Sequence, residues 1–138
     1  MVAIPRLNTG DFDEYGYAEE AAAALRYARQ VAVARNAEVT AVFDSGAYRI
    51  CTAADCPASG GTYLLNPGNG RPWDGSGRGR GQAPAGVTVV SATLPLKLSF
   101  DGLGSLMSFD GRGSPGDDAL IAIGSRTITV KAETGHVR

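Results

Sequence analysis

Between Tyr17 and Ala32 the apolar side chains recur at spacings of three and four, through Tyr17, Ala21, Leu25, Ala28, Val31 and Ala32. That is the period of one face of an α-helix. Acidic residues Asp11, Asp13, Glu14, Glu19 and Glu20 crowd its beginning, and Arg26, Arg29 and Arg35 fall in its later turns. This order complements the helix macrodipole. The pattern predicts a helix from about Asp13 to Asn36. Most of its apolar stripe is alanine, which lets a helix lie close to a sheet. Arg26, Arg29 and Gln30 on the opposite face read as a solvated surface.

Beyond Asn36 the period changes to alternation. Val39–Phe43 and Ala47–Cys51 read as strands joined by the turn Asp44-Ser45-Gly46. Residues 51–84 are irregular and rich in Gly, Pro, Asn and Ser, with Tyr63–Leu65 as one short strand. Strands are then expected at Val87–Val90, Leu96–Phe100, Ser105–Phe109, Ala119–Ile123 and Arg126–Val130, the last two joined by Gly124-Ser125 in a type II′ turn. No helical pattern separates these strands, so the sheet is expected to be antiparallel. The fold class is α+β: one long N-terminal helix, then strands over about 39–138. Ser99-Phe-Asp-Gly-Leu-Gly104 is echoed by Ser108-Phe-Asp-Gly-Arg-Gly113, which reads as two strand-closing turns rather than a repeat array.

The chain has 138 residues, enough for one domain, and 43% of them are hydrophobic. Thirteen basic against fourteen acidic residues leave a net charge of −1, unlike a surface coated for nucleic acid. One His and two Cys exclude a zinc site built without carboxylates, and a His-dependent triad would have to use His136. No nucleophile–base pair or metal cluster is legible, so an enzyme is not expected and no cofactor is called for. No apolar run reaches the ~20 residues of a membrane-spanning helix. The opening Met1–Pro5 is apolar and, taken alone, reads as a flexible terminus.

Four constellations carry candidate chemistry. Gly111–Gly116 spells G-x-G-x-x-G, but Asp117, Asp118 and a strand follow where a phosphate site needs a helix N-terminus, so it reads as a turn. Arg71, Arg78 and Arg80 with Trp73 place three guanidinium groups and a stacking surface on one glycine-rich loop, a DNA-binding arrangement. Asp74 and the net charge oppose that, and a flexible solvated loop is the preferred reading. Asp110, Asp117 and Asp118 offer hard oxygen ligands for calcium, although aspartates in such a stretch more commonly form turns. Cys51 and Cys56 are expected to form a disulfide in an oxidising compartment, contributing on the order of 2 kcal/mol by loop entropy.

Ala21-Ala-Ala-Ala-Leu-Arg-Tyr-Ala-Arg-Gln-Val-Ala-Val-Ala-Arg35 resembles the helix of GspH/FimT-type minor pilins and pseudopilins. Phe100–Gly104 and Phe109–Gly113 both match that family's strand-turn phrase, and Ile128–Val137 is similar to its closing "I-x-V-x-x-E-T-G-x-V". Val2–Leu7 looks like the exit from a pilin's hydrophobic helix. The leader Phe12–Tyr17, placed before the helix, is most similar to the MshC branch of mannose-sensitive haemagglutinin-type pilus systems.

The resemblance implies a type IV pilin-like fold, with a non-catalytic subunit as its function. Residues 1–12 are then a remnant after a removed transmembrane helix, and 13–138 form one pilin-like globular domain. That reverses the reading of the terminus. Implied partners are the other major and minor pilin subunits and, through the N-terminal helix, the inner membrane. The implied location is periplasmic before assembly and cell-surface afterwards. Leu25, Ala28 and Ala32 are the residues expected to pack helix on sheet. The implied role is to help initiate or cap assembly of a type IV pilus-like filament; a type II secretion pseudopilin is the nearest structural relative, and a DNA-binding minor pilin of a DNA-uptake pilus is the runner-up from a different class. Some family members bind DNA through a C-terminal G-R-x-R, and the matching positions here are Gly135, His136, Val137 and Arg138. Histidine in place of the first arginine is mostly neutral at pH 7, which removes one of two charges.

Overall fold

The computed structural model describes residues 9–52, 63–77, 79–90, 96–109, 119–131 and 134–137. Helix α1 spans Thr9–Arg35. It starts four residues ahead of the expected Asp13, so Phe12–Tyr17 lies inside the helix rather than before it. Gly10 and Gly16 carry poor helix propensity and mask this first part in the sequence, yet the acidic residues there suit a helix beginning. The other end closes at Arg35 in a Schellman arrangement. Asn36 takes a left-handed φ of 47°, its amide donates to Val33 O at 3.2 Å, and the Ala37 amide donates to Ala32 O at 3.1 Å.

The strands are β1 (Val39–Phe43), β2 (Tyr48–Cys51), β3 (Leu96–Phe100), β4 (Leu106–Phe109), β5 (Ala119–Ile123) and β6 (Arg126–Val130). Two antiparallel sheets result, one ordered β2-β1-β3-β4 and the other formed by β5 and β6. The first hairpin turns where expected, with Phe43 paired to Tyr48 and the Asp44 amide donating to Ala47 O. At the second, Gly124 has φ 60° while Ser125 stays out of the left-handed region, as a type II′ turn requires. A bulge after Ser99 lets Phe100 pair with Leu106.

Two expected strands shrink to isolated bridges. Tyr63 bridges Cys51 and Leu65 bridges Pro72, while Val89 bridges Ile123. These segments pair at single points because their proline- and glycine-rich neighbours cannot extend a ladder. Ala47 likewise bridges Gln82 rather than opening β2, and β4 begins one residue after Ser105.

Helix α1 packs against β1 and β3 of the larger sheet and β6 of the smaller, so it joins the two. Ala21, Leu25, Ala28 and Ala32 are completely buried with Phe43, Ile50, Leu98, Phe100, Ile121 and Val130. Alanines along the contact let the helix lie close to the sheets, and Leu25 is buried in the core cluster that holds residues of both. Every residue of β1 is buried, so its ladder carries side chains covered on both faces. On the second face Thr40 and Ser99, paired in register, share a hydroxyl hydrogen bond of 3.1 Å.

Candidate functional site

The C-terminal tail folds back onto α1. After β6 the Gly135 amide donates to Lys131 O at 2.8 Å, the Lys131 amide donates to His136 O at 2.9 Å, and Val137 bridges Val130 with its side chain buried. Gly135 has φ 68°, and a β-carbon there would run into the Gly104 carbonyl oxygen. Only glycine lets tail, turn and helix meet so closely.

Two arginines close this junction. Arg29 Nε donates to Gly104 O at 3.0 Å and to Thr134 O at 2.7 Å. Arg26 reaches Val137 O through Nε and Nη2 at 3.4 and 3.3 Å. The expected solvated face of Arg26, Arg29 and Gln30 is therefore corrected: its arginines fasten the tail. Helical periodicity sees only the sheet-facing stripe and not a tail arriving from more than a hundred residues away. The legible signal is the glycine of Thr134-Gly-His-Val137. His136 is exposed, its backbone amide bonded to Thr134 Oγ1.

The opposite end of α1 is fixed differently. Glu14 Oε1 accepts from the Ser125 amide at 2.8 Å and from Ser125 Oγ at 2.6 Å, and the Arg126 guanidinium lies 4.5 Å from the Tyr15 ring centre. The Ser125 hydroxyl, then its amide, holds the Glu14 carboxyl below its ordinary range, with Arg126 adding a smaller pull against slight desolvation. The β5–β6 turn is thus pinned to the beginning of the helix.

The arginine-bearing loop is corrected too. It is tied down by Asx turns: Asn66 Oδ1 accepts from the Gly68 amide, Asn69 Oδ1 from the Arg71 amide, and Asp74 Oδ1 from both Ser76 groups. Asn66 and Asn69 both donate to Gly79 O. Trp73 is 3% exposed and packs on Tyr27, so it offers no stacking surface. Arg71 is exposed and Arg80 is half-buried, donating to Ser76 Oγ at 3.2 Å. Arg78 and Arg138 lie outside the described residues.

Beneath the loop Tyr17 donates its hydroxyl to Gly81 O at 2.7 Å and packs on Tyr48, which packs on Phe43. Desolvation, then the Glu20 charge, pushes both tyrosines far above their ordinary range. Such phenols are fixed structural groups rather than proton carriers at neutral pH. No cluster of three or more metal-ligating side chains occurs among the described residues. Asp110, Asp117 and Asp118, the calcium candidates, lie outside them, as does the Gly111–Gly116 turn. Cys51 is buried at the end of β2, and Cys56 is outside the described residues.

A family model, Type II transport protein GspH, matches residues 17–137. The chain belongs to the GspH family. No curated protein and no solved structure matches it. The match runs from the alanine face of α1 through both sheets to the docked tail, and the helix-on-antiparallel-sheets architecture agrees with a pilin-like fold. GspH-type proteins are minor pseudopilins of type II secretion or of related pili, structural subunits that contact other pilin subunits rather than enzymes. They are anchored in the inner membrane and carry a periplasmic domain. Among the described residues of this chain, no helix is long and apolar enough to cross a membrane.

Proposed function

We propose that this GspH-family chain is the globular domain of a minor pilin that helps to initiate or cap a type IV pilus-like filament, in the MshC-like branch. The observation that carries this reading is the way α1 is used. It is buried along one alanine-lined face, pinned at its beginning by Ser125 and near its end by the tail, and exposed along the other face from Tyr15 to Val33. A helix fixed so firmly to its domain transmits position from a filament core to the surface, which is what an assembly subunit requires. In this reading a hydrophobic segment N-terminal to α1 makes the inner-membrane contact, and Leu25, Ala28 and Ala32 keep the domain close to the helix.

The same geometry suits a minor pseudopilin of type II secretion, and one experiment separates the two. Deleting the gene in its host is expected to abolish surface pili in sheared fractions while secreted enzyme levels stay unchanged. Loss of secretion with pili intact assigns the chain to secretion instead. No change in either removes the assembly role. The DNA-uptake reading has less support, because Trp73 is buried and Arg80 is engaged with Ser76. A salt-sensitive shift of duplex DNA, weakened by Arg78→Ala/Arg80→Ala, would favour it.

A further inference from the structure

Between the exposed side of α1 and the docked tail lies an open pocket of about 280 Å³, lined by Arg26, Arg29, Gln30, Gly135, His136 and Val137. Its described wall holds two guanidinium groups and an imidazole and no carboxylate. Both arginines are half used. Arg29 bonds the tail through Nε and Arg26 through Nε and Nη2, while Arg29 Nη1 and Nη2 and Arg26 Nη1 donate to no described residue. Partly free guanidinium forks in a concave wall suit a planar anion with two oxygens.

We propose that this pocket seats a side-chain carboxylate from the helix of an adjacent pilin-fold subunit. The proposal rests on the filament reading above. Three observations select a protein carboxylate over a nucleic-acid phosphate. Polyanions gain affinity from a track of many cations, whereas the exposed stripe of α1 runs from Arg26 through Ala23 to Glu19, an acid that repels a phosphate chain. Apolar side chains also stand near the pocket: Val33 is 46% and Leu103 83% exposed, and Gly104, beside Leu103, lies against Val33. An apolar anchor beside a charged socket is the anatomy of a protein interface.

The third observation is spacing. Glu19 sits seven residues before Arg26 on the same exposed stripe, about 10.5 Å along a helix axis. A neighbour with a parallel helix, displaced by that rise, brings an acid at the height of Glu19 opposite Arg26. This fold already presents the group that the neighbour must offer. Such a head-to-tail contact does not close on itself and propagates a filament.

The test has two arms. At low salt, sodium acetate is expected to shift the Arg26 and Arg29 Nε–Hε resonances saturably, and Arg26→Gln should abolish the response at Arg29 with backbone shifts confined to the tail around Val137, which Arg26 holds. Inorganic phosphate and a short DNA duplex report the competing source. No saturable acetate response overturns the site, and tight duplex binding at these resonances without an acetate response assigns the pocket to nucleic acid. In the host, Arg26→Glu is expected to lower the amount of this subunit in the filament fraction at least tenfold, and Arg26→Lys to keep most of it. Equal incorporation of Arg26→Glu overturns the proposal and leaves the filament reading intact. A wild-type chain that never enters filaments overturns both.

Discussion

Arg29 Nε donates to the Gly104 carbonyl at 3.0 Å and thereby ties the later part of α1 to the turn between β3 and β4. The same nitrogen holds Thr134 O at 2.7 Å, so one side chain joins helix, sheet and tail. Hydrogen bonds from a charged donor contribute about 1.5–3 kcal/mol each, and here a single N–H is shared between two acceptors. Arg29→Ala is expected to lower stability by about 2 kcal/mol in urea unfolding. Hydrogen exchange should show the Gly135 amide opening first. Arg29→Lys should recover little, because an ammonium lacks the Nε position that meets both carbonyls.

Gly135 explains why that junction tolerates no side chain. An alanine there takes a left-handed conformation costing about 1–3 kcal/mol and also meets the Gly104 oxygen. Gly135→Ala is expected to release the tail, seen as lost exchange protection at Lys131, whose amide donates to His136 O. Gly46→Ala is the control, since a β-carbon at Gly46 meets nothing within 4 Å. An equal effect at both positions would contradict this account.

The alanine face makes an opposite prediction about volume. Ala28 is completely buried where α1 meets the sheets. Adding side-chain volume to a packed core costs about 1–3 kcal/mol, so Ala28→Leu should destabilise by that amount. Leu25→Ala should cost about 2–5 kcal/mol by opening a cavity. Thermal unfolding of the two variants measures both.

The helix, the two main hairpins and the antiparallel order were legible because each is written in local periodicity and turn chemistry. What escaped was long-range. Nothing near Arg29 in the chain announces Gly104 or Thr134, and nothing near Glu14 announces Ser125. The loop from Gly68 to Gly81 reads as flexible in the sequence because its glycine content outweighs the Asn and Asp side chains that brace it. Trp73 read as a stacking platform because burial by Tyr27 is a tertiary fact. The tail phrase around Gly135 was visible only as a resemblance, and its physical reason is the close approach to Gly104.

We propose that Cys51 pairs with Cys56, five residues on, in the periplasmic setting of the family. Buried Cys51 ends β2 and bridges Tyr63, so the bond would staple the segment that leaves the sheet. A thiol assay on the denatured, unreduced chain is expected to find no free thiol. Reduction should lower stability by on the order of 2 kcal/mol. Two reactive thiols before reduction would refute the pairing.

Glu14 and Ser125 predict an acid-sensitive contact. The Ser125 hydroxyl and amide favour the charged carboxylate, so the folded pKa lies below the ordinary value of 4.5. A depressed carboxylate stabilises the fold above its unfolded pKa, and that contribution is lost as pH falls through the folded value. The β5–β6 turn should therefore stay on α1 at neutral pH and loosen only below pH 4.5. Asp74 shifts in the same direction through Ser76, so a global acid-unfolding curve reports both groups and a local probe is needed. The Ser125 amide resonance should titrate with a midpoint below 4.5, and Glu14→Gln should remove that titration while weakening exchange protection at Ser125. A midpoint at or above 4.5 would show that the contact does not favour the charged form, and Gly124 and Ser125 would then be held to the helix by shape alone.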